Sequence, residues 1–293
     1  MSSNAADLRS GKGSRDENFP VASKLIHPRH RAVILAFYEF VRVADDIADH
    51  PTLSQADKLQ HLDALEESLL EPGPGKEPQG VALHRALEGR GLSPGHAQDL
   101  LTAFRLDVAK RRYADFDDLM GYCSFSAMPV GRFVLDVHGE SHDTWPANDA
   151  LCAALQIINH LQDCGADYRN LDRVYIPLDV LRANGVEAGA LALPCAPAGL
   201  KAAIVALAGR TAGLLSHSRG FSSQIKDRRL AFEVAVIQTL AERLVHLLQL
   251  RDPLCQPVHL AKPAVAALGL VGILRGMWGR VFSPRAVSHP AGR

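Results

Sequence analysis

The sequence lacks the cysteine pattern and the charge excess that mark several large classes of protein. Its five cysteines form no CxxC pair and their number is odd, so we expect reduced thiols rather than disulfides or a zinc site. The 32 Lys and Arg residues balance the 32 Asp and Glu residues, whereas nucleic-acid-binding proteins usually carry a basic excess. No nucleic-acid partner is predicted.

Long hydrophobic runs are also scarce. Residues 1–17 are polar and contain no apolar core of a secretory signal, so they are predicted to form a disordered leader. The longest apolar run near the C-terminus, residues 264–274, is too short to span a bilayer. These absences favour a cytoplasmic protein.

Signals for β-structure are missing, and the apolar residues recur instead at the three- and four-residue spacing of helices. There is no strand-like alternation with hairpin turns, no glycine-rich phosphate loop and no internal repeat. We predict an all-α fold with a single domain over residues 18–283 and a flexible basic tail over residues 284–293. Helices are predicted over residues 28–50, 54–70, 93–113, 116–138, 147–169, 198–225, 229–250 and 263–280.

Two clusters of metal-ligand residues stand on apolar helices more than a hundred residues apart. Asp45 and Asp49 form the first, and Asn159, Asp163 and Asp167 form the second. Residues four apart share a helix face, and like charges in that relation repel. One such pair is usually a solvated surface, but two in apolar helices favour a bound cation. Carboxylate and amide oxygens suit Mg²⁺, and two such helices with Mg²⁺ could receive a diphosphate.

Some of the other polar residues are predicted to contact the same diphosphate, and the rest are predicted to have no role in the site. Arg42 and Tyr38 lie one and two turns before the first cluster, where both could donate to phosphate oxygens. His160 follows Asn159, and packing is favoured over metal binding for its side chain. The remaining candidates are expected to be plain surface charges: Asp57, Asp117 and Asp118.

Four segments resemble the squalene/phytoene synthase family of head-to-head prenyl synthases: residues 36–49, 122–131, 155–168 and 173–177. The resemblance spans about residues 18–262. It implies an all-α isoprenoid synthase fold whose helices surround a central cavity. It also implies that Mg²⁺ bound by the two acidic clusters holds the diphosphate of a prenyl substrate.

The same resemblance assigns roles to individual residues. The implied ligands of Mg²⁺ are Asp45, Asp49, Asn159, Asp163 and Asp167. The residues expected to contact the substrate are Tyr38, Arg42, Gln156 and Arg173 at its polar end, and Phe37, Phe40 and Val130 along its hydrocarbon. Tyr122 is expected to line the cavity, where its ring can stabilise a carbocation.

Departures from the family pattern narrow the expected reaction. Members that condense two prenyl diphosphates commonly carry a His-Ser-x-Ser-Phe segment, where this chain has residues 18–23, and often an arginine, where it has Gln162. Pro257 also stands about where a basic residue is frequent. The chain is most similar to the hydroxysqualene-forming branch of the family in bacterial hopanoid biosynthesis. That branch converts presqualene diphosphate and water to hydroxysqualene and diphosphate, between a sister condensing synthase and a flavin reductase.

Two alternatives remain open from the sequence. The chain could be a complete squalene or phytoene synthase that condenses two farnesyl or geranylgeranyl diphosphates. It could also be a non-catalytic helical scaffold or assembly protein, although such members typically lose the acidic clusters.

The C-terminal region suggests a contact with the inner face of the membrane. No acidic residue follows Asp252, whereas Lys262 and several arginines alternate with apolar residues. A basic, apolar segment of this kind can dock on an anionic membrane surface. A last core helix with a basic tail explains the same pattern equally well.

Overall fold

The predicted all-α fold is confirmed. The computed structural model describes residues 27–282, with side chains to residue 274, and within these bounds it contains no β-strand. An isolated bridge joins Arg112 and Val174. The described part contains twelve α-helices: α1 Pro28–Ala48, α2 Gln55–Leu70, α3 Pro78–Glu88, α4 Gly95–Ala109, α5 Phe116–Ser126, α6 Met128–His138, α7 Trp145–Leu171, α8 Leu178–Ala183, α9 Ala198–His217, α10 Phe221–Gln224, α11 Arg228–Leu250 and α12 Lys262–Phe282.

The first helix begins and ends where its sequence indicates. Pro28 stands in its first turn, where the missing N–H costs nothing. The His27 side chain accepts a hydrogen bond from the backbone N–H of Arg29 at 3.3 Å and caps the helix. Pro51 follows the last helical residue by three positions, and it prevents the helix from continuing.

Some predicted boundaries were wrong. The predicted helix over residues 116–138 is two helices, α5 and α6, which break at Ala127 (φ −124°, ψ −47°) because Pro129 cannot continue α5. Helices α3 and α8 were not predicted. Helix α3 has no side-chain cap, and it depends on close packing against α2, since a Cβ on Gly80 would lie 2.6 Å from that of Ser68.

The buried hydrophobic residues of the described part form two clusters. One is built largely from α1 to α4, and the other from α5, α7, α9 and α11 with the loops beside them. Helix α1 packs against α2, α3, α4 and α6, whereas α7 packs against α5, α6, α9 and α11. Because α6 contacts both α1 and α7, it bridges the two halves and leaves a hollow between them.

One stretch, Ala198–Gln224, is long and apolar enough to cross a membrane by length and composition alone. Its helix α9 packs against α7, α8 and α11, as expected of an apolar helix in the core of a protein. The predicted leader (1–17), the segment 18–23 and the predicted tail (284–293) lie outside the described residues.

Candidate active site

Helices α1 and α7 place both acidic clusters in one cavity of about 400 Å³, called here the acidic cavity. Five carboxylates and two guanidinium groups line it. Every residue predicted to bind metal or the polar end of a substrate lies on this wall: Tyr38, Arg42, Asp45, Asp49, Tyr122, Gln156, Asn159, Asp163, Asp167 and Arg173. The prediction that residues distant in sequence converge on one hollow agrees with this geometry.

On the α1 side, Arg42 partly neutralises the carboxylates. Its guanidinium contacts Asp45 and Asp46, each at 3.0 Å. Burial and the neighbouring Asp49 carboxylate nevertheless raise the pKa of Asp45 to about 7, against the opposing effect of Arg42. This side of the cavity therefore has more negative charge than its own helix can offset.

On the α7 side, Asn159, Asp163 and Asp167 follow one another at intervals of four residues and share one helix face. Burial and the adjacent Asp163 raise the pKa of Asp167 to about 7, and Asp49 across the cavity raises it further. The carboxylates of the two acidic clusters thus influence each other across the cavity, against the opposing effect of Arg173.

Arg173 follows α7 by two residues and connects the end of α1 with α4. Its Nη1 lies 2.7 Å from an Asp49 carboxylate oxygen, and its Nη2 donates to the backbone carbonyl of Asp107 at 3.2 Å. Arg173 is buried, and the carboxylates of Asp107 and Asp49 keep its pKa above the ordinary value despite that burial. It carries a permanent positive charge beside the predicted diphosphate position.

Asp107 of α4 is a site residue that sequence reasoning missed. It is buried, and it accepts hydrogen bonds from the hydroxyls of Tyr122 at 2.9 Å and Tyr175 at 3.5 Å. Burial raises its pKa to about 6, although Arg173 and the Tyr122 hydrogen bond oppose the rise. The sequence offered only a lone carboxylate between the apolar residues Leu106 and Val108 as a signal.

Aromatic rings form the wall around Asp107. The ring centroids of Tyr122 and Tyr175 are 5.8 Å apart, and His160 stacks on Tyr175 with centroids 3.4 Å apart. Burial lowers the pKa of His160 to about 3, so its imidazole is neutral. The favoured prediction for His160 was packing, and the ring does pack, but it also lines the acidic cavity.

A second, apolar cavity of about 270 Å³ adjoins the first. Tyr38, Val41 and Val130 line both, so the two hollows share a wall. Phe37 lines the apolar cavity and stacks on Phe133 with ring centroids 3.8 Å apart. The apolar cavity is therefore positioned to hold a hydrocarbon whose polar end lies among the carboxylates.

Phe40 is the one predicted substrate contact that the structure does not bring to either cavity. Its side chain is fully buried in the cluster formed by α1 to α4. Position 40 lies on the helix face that packs against α2 to α4, whereas Phe37 and Tyr38 lie on the face toward the hollow.

Gln162 also turns away from the acidic cavity. Its side-chain amide donates to the backbone carbonyl of Val258, and the residue is buried. The position where condensing members often have an arginine is here a structural link between α7 and the segment after α11.

The donor set of the acidic cavity fits a hard divalent cation such as Mg²⁺. The five residues predicted to bind the metal offer carboxylate or amide oxygens. Among the described residues, no three carboxylates here bring ligand atoms within 4.8 Å of one another. Mg²⁺ usually keeps several waters and binds through a few carboxylates together with substrate phosphates, so an open arrangement of this kind is suitable.

Comparison with known proteins places the chain in a family. The sequence model described as squalene/phytoene synthase matches residues 13–265. The chain belongs to the squalene/phytoene synthase family.

Individual relatives are similar over most of their length. The chain is 56% identical to the hydroxysqualene synthase of Rhodopseudomonas palustris over 290 residues, which is 99% of each chain. It is 54% identical to the hydroxysqualene synthase of Sinorhizobium fredii over 253 residues, or 86% of each. The crystal structure of squalene synthase HpnC from Alicyclobacillus acidocaldarius superposes with a TM-score of 0.71 at 27% identity, and covers 84% of this chain and 91% of that one.

Proposed function

We propose that the chain is a hydroxysqualene synthase, an enzyme that converts presqualene diphosphate and water to hydroxysqualene and diphosphate. The observation that carries the proposal is the joining of two unlike cavities, one lined by facing carboxylates and the other by apolar side chains. Relatives named hydroxysqualene synthase at 56% and 54% identity support this choice of reaction.

The acidic cavity provides the diphosphate site. Asp45 on α1 and Asp49 at its C-terminal cap, with Asn159, Asp163 and Asp167 on α7, would hold Mg²⁺. When bound, Mg²⁺ supplies positive charge that offsets the charge developing on the departing diphosphate. Arg42 and Arg173 add fixed positive charge at the same place, and Tyr38 and Gln156 line it with further hydrogen-bonding groups.

The apolar cavity provides the hydrocarbon site. Phe37, Val130 and the residues around them exclude water from the chain of the substrate, and each buried methylene contributes roughly 0.8 kcal/mol. The Tyr122 ring lies at the inner wall of the acidic cavity, where its π-face can stabilise the cation left by ionisation. Departure of diphosphate, rearrangement of the cation and capture by water then follow across these two adjoining cavities.

Incubation of the purified chain with Mg²⁺ and presqualene diphosphate, without a reductant, tests the proposal. We expect hydroxysqualene and diphosphate. Formation of a thirty- or forty-carbon product from farnesyl or geranylgeranyl diphosphate alone would reject it in favour of a complete squalene or phytoene synthase. If neither substrate reacts, the chain is a non-catalytic member of the family.

Substitution of one carboxylate on each helix tests the metal ligands. Asp45→Ala and Asp163→Ala should each lower diphosphate release at least about 100-fold, because each removes charge stabilisation from the transition state. Asp117→Ala is the matched control, since Asp117 is exposed on α5 and does not line either cavity. Undiminished release in either cavity variant would reject the ligand assignment.

The proposed reaction requires neighbours in a pathway. An enzyme that condenses two prenyl diphosphates must supply presqualene diphosphate, and a flavin-dependent reductase would remove the hydroxyl of the product to give squalene.

Helix α12 supports a peripheral contact with the inner face of a membrane. Gly272 packs it against the backbone of Val236 in α11, whereas Leu270 and Leu274 are 61% and 51% exposed. Leu270→Ser with Leu274→Ser should weaken sedimentation with anionic phospholipid vesicles, whereas Leu250→Ser, at the exposed end of α11, should not. Equal binding by all these forms would reject the membrane contact. The arginines that contributed to this prediction begin at Arg275, beyond the residues whose side chains the structure describes.

A further inference from the structure

Two buried polar atoms on the wall of the acidic cavity have no hydrogen-bond partner among the described residues. They are the hydroxyl oxygen of Ser126 and Nε2 of His160. An unsatisfied buried polar group is uncommon in a folded protein and is frequently paired with a water molecule. Neither atom is used by the diphosphate site described above.

The two residues that carry these atoms are both neighbours of Tyr122, which lines the same cavity. Ser126 follows Tyr122 by four residues on α5, so the two side chains are helical neighbours. The His160 and Tyr122 ring centroids are 6.1 Å apart. Val130 of α6, four residues beyond Ser126 across the helix break, lines both cavities.

The Ser126 hydroxyl makes no hydrogen bond to its own helix. A serine inside a helix commonly bonds back to the carbonyl four residues before it, but Ser126 is the last residue of α5 and its hydroxyl makes no such bond. By contrast, Ser124 of the same helix donates to the backbone carbonyl of Gly121 at 2.6 Å.

We propose that Ser126 Oγ and His160 Nε2 hold the water molecule that captures the rearranged cation. This inference rests on the proposed function and identifies two positioning residues for it. A water in a buried site needs two to four polar partners, and these atoms supply two without disturbing another hydrogen bond. The water is held next to Tyr122, where the cation is proposed to lie.

The proposed step is balanced in atoms and charge. The C–O bond to diphosphate breaks and its electron pair leaves with the diphosphate. An oxygen lone pair of the held water forms the new C–O bond to the rearranged cation, and the proton released from that water passes to a diphosphate oxygen. No oxidant or reductant is required.

Ser126→Ala tests the inference by separating ionisation from capture. Diphosphate release should stay within about threefold of the wild-type rate, while the share of hydroxysqualene in the product should fall about tenfold, as expected for the loss of one water-binding hydrogen bond. The missing product should appear as thirty-carbon polyenes formed by proton loss. Ser126→Thr keeps a hydroxyl and should restore most of the hydroxysqualene share.

Two further variants make the result decisive. Ser124→Ala is the matched control, and it should leave the product distribution unchanged. His160→Phe keeps the stacked ring while removing Nε2, and it should change the distribution in the same direction; it carries the test if Ser126→Ala does not fold. An unchanged hydroxysqualene share in folded Ser126→Ala and His160→Phe would overturn this inference alone. Absence of hydroxysqualene from the wild type would overturn the proposed function itself.

Discussion

At the scale of single residues, the raised pKa values of the acidic cavity have a consequence for stability without a metal. The pKa of Asp167 rises from 3.8 to about 7 in the folded chain, so the folded state holds this proton more tightly than the unfolded state. The contribution of protonated Asp167 to the free energy of unfolding is fully present below about pH 4, and it is lost as the pH rises through about 7. The pKa of Asp45 is raised in the same way. Because 39% of its side chain is accessible, water weakens its effect on stability.

We therefore predict that the chain in excess chelator is less stable at about pH 8 than at about pH 5.5, and that Asp167→Asn removes part of this dependence. Thermal unfolding across that range measures it. Asp117→Asn, at an exposed position, should leave the dependence as it is in the wild type. If Asp167→Asn and the wild type show parallel pH profiles, the account of this carboxyl is wrong.

The hydrogen bond between Tyr122 and Asp107 gives a second prediction at this scale. Tyr122→Phe leaves the buried Asp107 carboxylate without its shorter donor, which should cost about 1–3 kcal/mol of folding free energy. Because the pKa of Asp107 is about 6, the cost should be larger above this pH, where the carboxyl is ionised, than below it. Chemical denaturation on both sides of pH 6 measures the difference.

Tyr175→Phe is the comparison for this variant. Its hydroxyl lies 3.5 Å from Asp107, compared with 2.9 Å for that of Tyr122, so its removal should cost less. A larger loss in Tyr175→Phe than in Tyr122→Phe would contradict the proposed ranking of the two bonds.

Some site residues could be predicted from their positions in the sequence, whereas others could not. The convergence of the acidic residues on α1 and α7 could be predicted because their four-residue spacing repeats in two apolar helices, and their role as metal ligands stays a prediction. Asp107 stands alone on α4 and has no such spacing, so only the fold shows that it faces Tyr122 and Tyr175. Gln162 lies within the second acidic segment, but its contact with Val258 could not be predicted because the two are 96 residues apart.

At the scale of elements, the contact between α6 and α7 determines the wall of the apolar cavity. A Cβ on Gly131 would lie 2.0 Å from the Asn148 side-chain oxygen and 2.6 Å from the Cys152 sulfur. Gly131→Ala should therefore separate the two helices and destabilise the fold by about 1–3 kcal/mol. Thermal or chemical unfolding measures the loss, and hydroxysqualene formation should fall with it.

Gly121→Ala is the matched control for that helix contact. A Cβ at this position in α5 would meet nothing within 4 Å, and alanine is the better helix former by about 0.5–1 kcal/mol. It should leave stability unchanged or raise it. Equal destabilisation by both substitutions would mean that the close approach of α6 and α7 is not the cause.

Most helices could be predicted from their apolar periodicity and from the prolines that begin or end them. The exceptions have physical reasons. Residues 116–138 keep a helical pattern across Ala127, so the pattern concealed the break that Pro129 imposes. Helix α3 depends on Gly80 packing against Ser68 of α2, and a contact between two helices leaves no periodic signal in either.

At the scale of the whole molecule, the acidic cavity should bind cation and diphosphate together. Since no three of its carboxylates converge on one point in the described structure, Mg²⁺ alone should raise the melting temperature only slightly. Mg²⁺ with inorganic diphosphate should raise it clearly, because a ligand at 100 times its dissociation constant stabilises the folded state by about 2.7 kcal/mol. Differential scanning fluorimetry of wild type and Asp163→Asn measures both effects; an equal response to Mg²⁺ with and without diphosphate would contradict this expectation.

The sequence predicted that the two acidic helices would meet, but it could not predict how the hollow between them is built. The convergence of Asp49 and Asp167 depends on α6 packing against both α1 and α7. The division into an acidic and an apolar cavity, with a shared wall at Tyr38 and Val130, is likewise a product of the packed fold. Neither follows from local spacing.

The most direct measurement is the anomalous diffraction of Mn²⁺, in place of Mg²⁺, in crystals grown with inorganic diphosphate. We predict Mn²⁺ peaks between α1 and α7, bound to carboxylates of Asp45 or Asp49 on one side and of Asp163 or Asp167 on the other, with diphosphate between the ions. Mn²⁺ and diphosphate bound elsewhere, with this cavity empty in crystals of active enzyme, would contradict this prediction.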